Sequence, residues 1–235
     1  RINQMILQGK SLSQKSERKN MTVLFADIRS FTSLSESMSP HQLSEYLNEY
    51  LTAITKIIFD HNGTIDKYVG DMVMAFWNAP LKDENHARHG VEAAMSMING
   101  LTKINQLFAE NNQPAIKIGI GLSTGDMNVG DMGSVYRKAY TVLGDTVNLG
   151  ARVESLTKFY GVAILVTEET MKECPHISFR LIDKVQVVGK TTAVQLFEPI
   201  NFIDKLDEEQ LNEVEKSQQA ITLFYNKKWP QALSL

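Results

Sequence analysis

The chain has 235 residues, room for one well-packed α/β domain with a helical appendage and too few for two domains of ordinary size. Its 24 Lys and Arg against 27 Asp and Glu leave a formal charge of -3, which argues against a nucleic-acid surface, since such surfaces carry a basic excess. The single cysteine, Cys174, can close no intrachain disulfide and anchor no thiolate metal cluster, and it fits a reduced, cytosolic setting.

Residues 1–20 are rich in Lys, Ser and Gln and read as a linker or the remnant of a signalling helix. No apolar run approaches the roughly 20 residues that span a bilayer, and the polar start is not a secretory signal. The chain opens on Arg1 instead of a methionine, so the expectation is a piece of a longer protein, with a sensor or membrane segment upstream.

The first strong strand is predicted over Met21–Ala26, an apolar run ending on Asp27. A helix is predicted from Pro40, with Ser39 as N-cap, Pro40 in the first helical position and Gln42 completing a capping box. Leu43, Tyr46, Leu47, Tyr50, Leu51, Ile54, Ile57 and Ile58 then share one helical face. His61-Asn62-Gly63 stops it. Thr64–Val69 and Met72–Trp77 read as two strands joined at Gly70-Asp71, a pair suited to a tight II′ hairpin. A second helix is expected from about Glu84 to Ala109, with Ala87, Val91, Ala94, Met95, Ile98 and Leu101 inward, and a strand over Ile116–Ser123.

The order strand, helix, hairpin, helix, strand is βαββαβ, the ferredoxin-like arrangement of an α+β fold. Beyond it lie a Gly-rich stretch from Gly125 to Gly133, a helix from Thr146 to about Lys158, short strands between Ala163 and Pro199, and a helical tail from Asp207. The organisation expected is a linker over 1–20, a catalytic domain over 21–200 and a helical extension over 201–235. In that extension Ala220, Leu223, Phe224, Trp229, Ala232 and Leu233 fit either a terminal helix packed on its own domain or a truncated helical repeat.

Asp27 ends a buried strand and Asp71 sits in a hairpin turn, so adjacent central strands would bring both carboxylates to one edge of the sheet. Two close carboxylates stay ionised only with a cation between them, and oxygen-only ligands point to Mg²⁺ or Mn²⁺. Either aspartate alone reads more readily as a turn or capping residue; the pair favours the metal. After Asp27 the loop Ile28-Arg29-Ser30-Phe31-Thr32 leads towards a helix, where free backbone amides can hold phosphate oxygens. No Walker-type phosphate loop occurs anywhere in the chain.

The segments Leu24-Phe25-Ala26-Asp27-Ile28-Arg29-Ser30-Phe31-Thr32, Asp66-Lys67-Tyr68-Val69-Gly70-Asp71 and Val142-Leu143-Gly144-Asp145-Thr146-Val147-Asn148-Leu149-Gly150-Ala151-Arg152 resemble class III nucleotidyl cyclases. Three motifs in order, within a match running from about Arg18 to Pro199, make the resemblance specific. It implies the ferredoxin-like cyclase homology domain and a homodimer with active sites at the interface, converting ATP to cyclic AMP with two divalent metals, Mg²⁺ or Mn²⁺. By position, Asp27 and Asp71 resemble the metal aspartates, with the Ile28 carbonyl as an added ligand. Lys67 and Thr141 resemble the pair that reads the purine. Asn148 resembles the ribose-orienting residue and Arg152 the residue that stabilises the pentavalent α-phosphate. Ser30, Phe31 and Thr32 fall in the phosphate loop. Thr141 in place of the commoner Asp resembles the Thr-bearing subgroup, class IIIb, and makes bicarbonate a candidate activator.

Two departures stand out. Ser30 occupies a position where the family often has Gly. Near the C-terminal hairpin Val187-Val188-Gly189-Lys190 replaces the common Val-Lys-Gly-Lys, which makes Lys190, ahead of Lys184, the polyphosphate lysine. A guanylate cyclase is opposed by Lys67, where a Glu would be usual. An inactive nucleotide-binding regulatory domain is opposed by the presence of both aspartates and Arg152, and a diguanylate cyclase by Val69-Gly70-Asp71-Met72 at the hairpin.

Overall fold

The computed structural model describes residues 16–186 and 193–234. Strand β1 (Glu17–Ile28) is an interior strand of the sheet, followed by the short helix α1 (Phe31–Glu36) and the long helix α2 (Pro40–Asp60). β1 starts at Glu17, earlier than the expected Met21, because it pairs with a second long strand as far back as that residue. The capping box of α2 is formed as expected: Gln42 N–H donates to Ser39 Oγ, and Ser39 N–H to Gln42 Oε1 at 3.1 Å. Tyr46, Tyr50, Ile54 and Ile58 form its buried stripe.

The hairpin of β2 (Thr64–Val69) and β3 (Met72–Trp77) has the predicted bounds. Gly70 turns it with φ 64°, a conformation that costs a side-chain-bearing residue energy. Helix α3 (His86–Glu110) begins two residues after the predicted start. Met97, not among the predicted core residues, is fully buried, while Met95 and Ile98 are half-buried.

Strand β4 (Ile118–Gly133) is sixteen residues long and absorbs the whole Gly-rich stretch. Glycine is a poor strand former, yet this stretch pairs with residues 17–21 of β1 on one side and with β5 (Lys138–Leu143) on the other. Long-range pairing overrides local preference here. Next come α4 (Asp145–Tyr160), β6 (Ile164–Thr167), the unforeseen short helix α5 (Glu168–Lys172), β7 (Ile177–Val185) and β8 (Val194–Phe202).

The strands form one sheet in the order β2-β3-β1-β4-β6-β8-β7, with β5 on β4. Its first four members, all antiparallel, are the ferredoxin-like core. Side chains alternate across β1. Leu24, Ala26 and Ile28 face α2 and α3, whereas Met21, Val23 and Phe25 belong to a second cluster with Val147 of α4. α4 lies very close to β4: a Cβ on Gly121 would sit 2.2 Å from the backbone nitrogen of Glu154. Only glycine fits there.

β8 continues to Phe202, which packs against the main core. The tail forms α6 (Glu208–Tyr225), capped by Asp207, and α7 (Trp229–Ala232). α6 is tied to its own domain, since Tyr225 Oη donates to Asp183 Oδ1 at 2.7 Å and accepts from Lys184 N–H at 2.7 Å. Among the described residues no helix is long and apolar enough to cross a membrane.

Candidate active site

The β1–β3 ladder carries the site. Its last pair is Ala26 with Val73, so the residues just beyond it, Asp27 on one strand and Asp71 on the other, emerge at the same end of the sheet. Asp71 is buried, and its Oδ2 accepts from Ile28 N–H at 3.0 Å. Asp27 shares the α4 side of β1 with Phe25, and the α4 residues beside it are Glu154, Ser155 and Lys158. Together these line a cleft of about 370 Å³ with Ile28, Arg29, Ser30, Phe31 and Thr32. The sheet edge thus assembles the two aspartates and the loop, as the sequence implied.

Electrostatics at this edge are unbalanced. Burial raises the Asp27 carboxyl to about 7, helped by its hydrogen bond to Asp71 and by the charges of Asp71 and Glu154, while the Ile28 N–H opposes the rise. Glu154 is also raised, chiefly by burial, with Arg29 and a Ser155 hydrogen bond opposing. Under the cleft the Tyr50 hydroxyl is fully buried with no hydrogen-bond partner among the described residues, and burial followed by the charges of Asp71, Asp27 and Glu154 pushes its phenol upward.

The donor set fits a hard divalent cation. No group of three or more His, Cys, Asp or Glu side chains is gathered for a metal among the described residues. Two carboxylates and the Ile28 carbonyl remain, and Mg²⁺ is commonly held by one or two carboxylates with the rest of its shell from water and substrate phosphates.

The other candidates lie elsewhere. Lys67, on β2, places Nζ 3.1 Å from Asp66 Oδ2. That carboxylate oxygen is buried and has no aligned hydrogen bond, so the contact is one of charge alone. Thr141, on β5 opposite Gly130, buries an Oγ1 that has no partner among the described residues. Asn148 and Arg152 are exposed on α4. None of these four lines the Asp27–Asp71 cleft. Asn148 and Arg152 share a face of α4 with Ser155, which lines the cleft, but lie about 10 Å and about 5 Å further towards the N-terminus of the helix. Lys190 falls outside the described residues, and Lys184 is exposed on β7 beside Tyr225.

Sequence reasoning missed Glu154, Ser155 and Lys158. The i, i+4 spacing of Glu154 and Lys158 puts both on one helix face, but nothing local marks that face as the one turned to Asp27. In the sequence Arg29 stands out only as a member of a motif. Here its Nη2 donates to Val162 O at 2.8 Å and its charge opposes the burial-driven rise of the Glu154 carboxyl.

Residues 13–198 match the family described as the adenylate and guanylate cyclase catalytic domain. Among curated relatives, Adenylate cyclase 1 of Rhizobium meliloti (strain 1021) is 33% identical over 79% of this chain and 28% of its own length. An adenylate cyclase of Anabaena cylindrica is 40% identical over 77% of this chain and 36% of its own. The chain therefore spans about a third of these relatives. Among solved structures, the adenylyl cyclase CyaB from P. aeruginosa superposes with a TM-score of 0.76 at 32% identity, covering 82% of this chain and all of that one. The guanylyl cyclase Cya2 does so with 0.73 at 29%, covering 82% of this chain and 97% of that one.

Proposed function

Because this chain belongs to the adenylate and guanylate cyclase catalytic domain family, we infer that it converts ATP to 3′,5′-cyclic AMP and pyrophosphate in sites shared between two copies of itself. The observation that carries this is the division of its polar residues. Asp27, Asp71 and the Ser30–Thr32 loop line one cleft, while Lys67, Thr141, Asn148 and Arg152 stand apart from it. In a C₂ dimer each copy presents one set to the other, and two equivalent sites result.

Asp27, Asp71 and the Ile28 carbonyl would hold two divalent cations. When bound, these supply charge neutralisation on the triphosphate and acidify the ribose 3′-hydroxyl. The chain's own residues do the rest. Backbone amides of Ser30, Phe31 and Thr32 face the phosphates. Asn148 from the second copy orients the ribose so that its 3′-oxygen is in line with the bond from the α-phosphorus to the leaving pyrophosphate. Arg152 donates to the α-phosphate oxygens as charge builds there, the interaction that contributes most to phosphoryl transfer. The 3′-proton leaves to water or to a substrate phosphate.

Adenine is read by Lys67, which donates to the ring N1, and by Thr141, whose buried hydroxyl has no partner among the described residues and would turn outward to meet the base edge. The adenylate cyclase names of the relatives support this choice; the likeness to a guanylyl cyclase keeps GTP as the second reading. Incubating the purified chain with Mn²⁺ and ATP, then with GTP, and identifying the products tests both. Cyclic AMP should dominate. Preferential formation of cyclic GMP would overturn the base assignment, and a folded dimer with neither product would support a regulatory domain.

A further inference from the structure

A second cavity lies on the far side of Arg29. β4 and β6 are parallel and pair only from Ile120 with Ile164 onward, so the first residues of β4 have no neighbour on that side. The gap is bounded by α3 and by the turn between α4 and β6, and it forms a groove of about 540 Å³. This is ordinary ligand size. Ile98 and Leu101 of α3 and Val162 of the turn give it an apolar floor. Around them stand Arg29, Lys117 and Lys158, and no lining residue is acidic. In a chain of net charge -3, three cations around an apolar groove with no carboxylate among its walls are a selective arrangement.

We propose that this groove binds a small organic anion with a short alkyl chain, its tail on Ile98 and Leu101 and its carboxylate among Arg29, Lys117 and Lys158. A bare phosphate would leave the apolar floor wet, and a neutral alcohol would leave Lys117 and Lys158 unanswered, Arg29 already standing against Glu154; an amphipathic carboxylate satisfies both. Such a ligand touches the catalytic cleft through the wall they share, because Arg29 and Lys158 line both cavities. Arg29 bridges them, donating to Val162 O on the groove side at 2.8 Å and standing against Glu154 on the other.

The proposal is independent of the cyclase assignment, because binding is read without nucleotide. Octanoate titrated into the whole chain by calorimetry should saturate at one per chain. Octan-1-ol and inorganic phosphate should each bind about tenfold more weakly or worse, the effect of losing a charge-assisted hydrogen bond or the apolar contact. Lys117→Glu, at an exposed position, should weaken octanoate by about tenfold or more. Thr102→Trp, which places an indole in the groove from the exposed face of α3, should abolish binding while circular dichroism stays unchanged. Octanoate binding unaltered in either folded variant, phosphate binding as tightly as octanoate, or affinity that varies with protein concentration because a second copy fills the groove would overturn it.

Discussion

Two sets of polar residues in this chain behave differently. Asp27 and Asp71 lie far apart in sequence yet meet at one sheet edge, bridged by the Ile28 N–H at 3.0 Å from Asp71. Asn148 and Arg152 lie one helical turn apart, start only six residues before Glu154 and still miss the cleft that Glu154 lines. Sequence proximity to a site is therefore no guide to membership in it. Sheet register gathers the first set at one edge, and position along α4 leaves the second set outside the cleft.

The sharpest way to break this comparison is to remove a residue from the first set. Asp27→Ala or Asp71→Ala should lower turnover on the order of a thousandfold or more, with the fold intact by circular dichroism. Near-normal rates at saturating Mn²⁺ would remove the metal role. Mixing Asp27→Ala with Arg152→Ala tests the division itself. Random reassembly makes half the dimers mixed, each with one intact site of two, so roughly a quarter of wild-type activity should return. A dead mixture, with subunit exchange demonstrated, would place both residues in one site of one protomer.

Within the second set, Lys67→Glu should reduce kcat/KM for ATP by on the order of tenfold to a hundredfold, the worth of a hydrogen bond to a charged group, and GTP should lose less. Equal losses for both nucleotides would show that Lys67 does not read the base. The tail belongs to neither set. Ending the chain after Leu206 keeps β8 complete to Phe202 and should leave turnover within about twofold, since exposed hydrogen bonds such as those of Tyr225 contribute little. Dimeric but inactive truncated protein would show that α6 orders the site, through the Asp183 carboxylate that Tyr225 shares with Tyr160 at the end of α4. The smallest effect concerns the loop of the first set. Ser30 is held at φ 57° and ψ 32°, where a side chain costs energy that glycine avoids. Ser30→Gly should therefore stabilise the protein by about 1 kcal/mol, ~3 °C in Tm; a fall in Tm would mean that the serine hydroxyl compensates for the strain.

Much of the fold was legible because the signals are local. The capping box at Ser39 and Gln42, the Gly70-Asp71 turn between two apolar runs and the stripe through Tyr46, Tyr50 and Ile54 each follow from the preferences of a few adjacent residues. The Gly-rich stretch from Gly125 was not legible as strand, because its extended form depends on β1 and β5, both distant in sequence.

The sequence by itself determined the elements, the order that places them in a ferredoxin-like sheet, and the motifs by which Asp27, Asp71, Asn148 and Arg152 were recognised. Tertiary structure alone decided what those residues face. Glu154 and Lys158 line the cleft with the aspartates because glycine at 121 lets α4 settle almost onto β4. Asn148 and Arg152, further towards the N-terminus of the same helix, do not. Motif and spacing define a residue's chemistry, but its direction follows from the packing of a helix against a sheet, which depends on contacts between residues far apart in the chain.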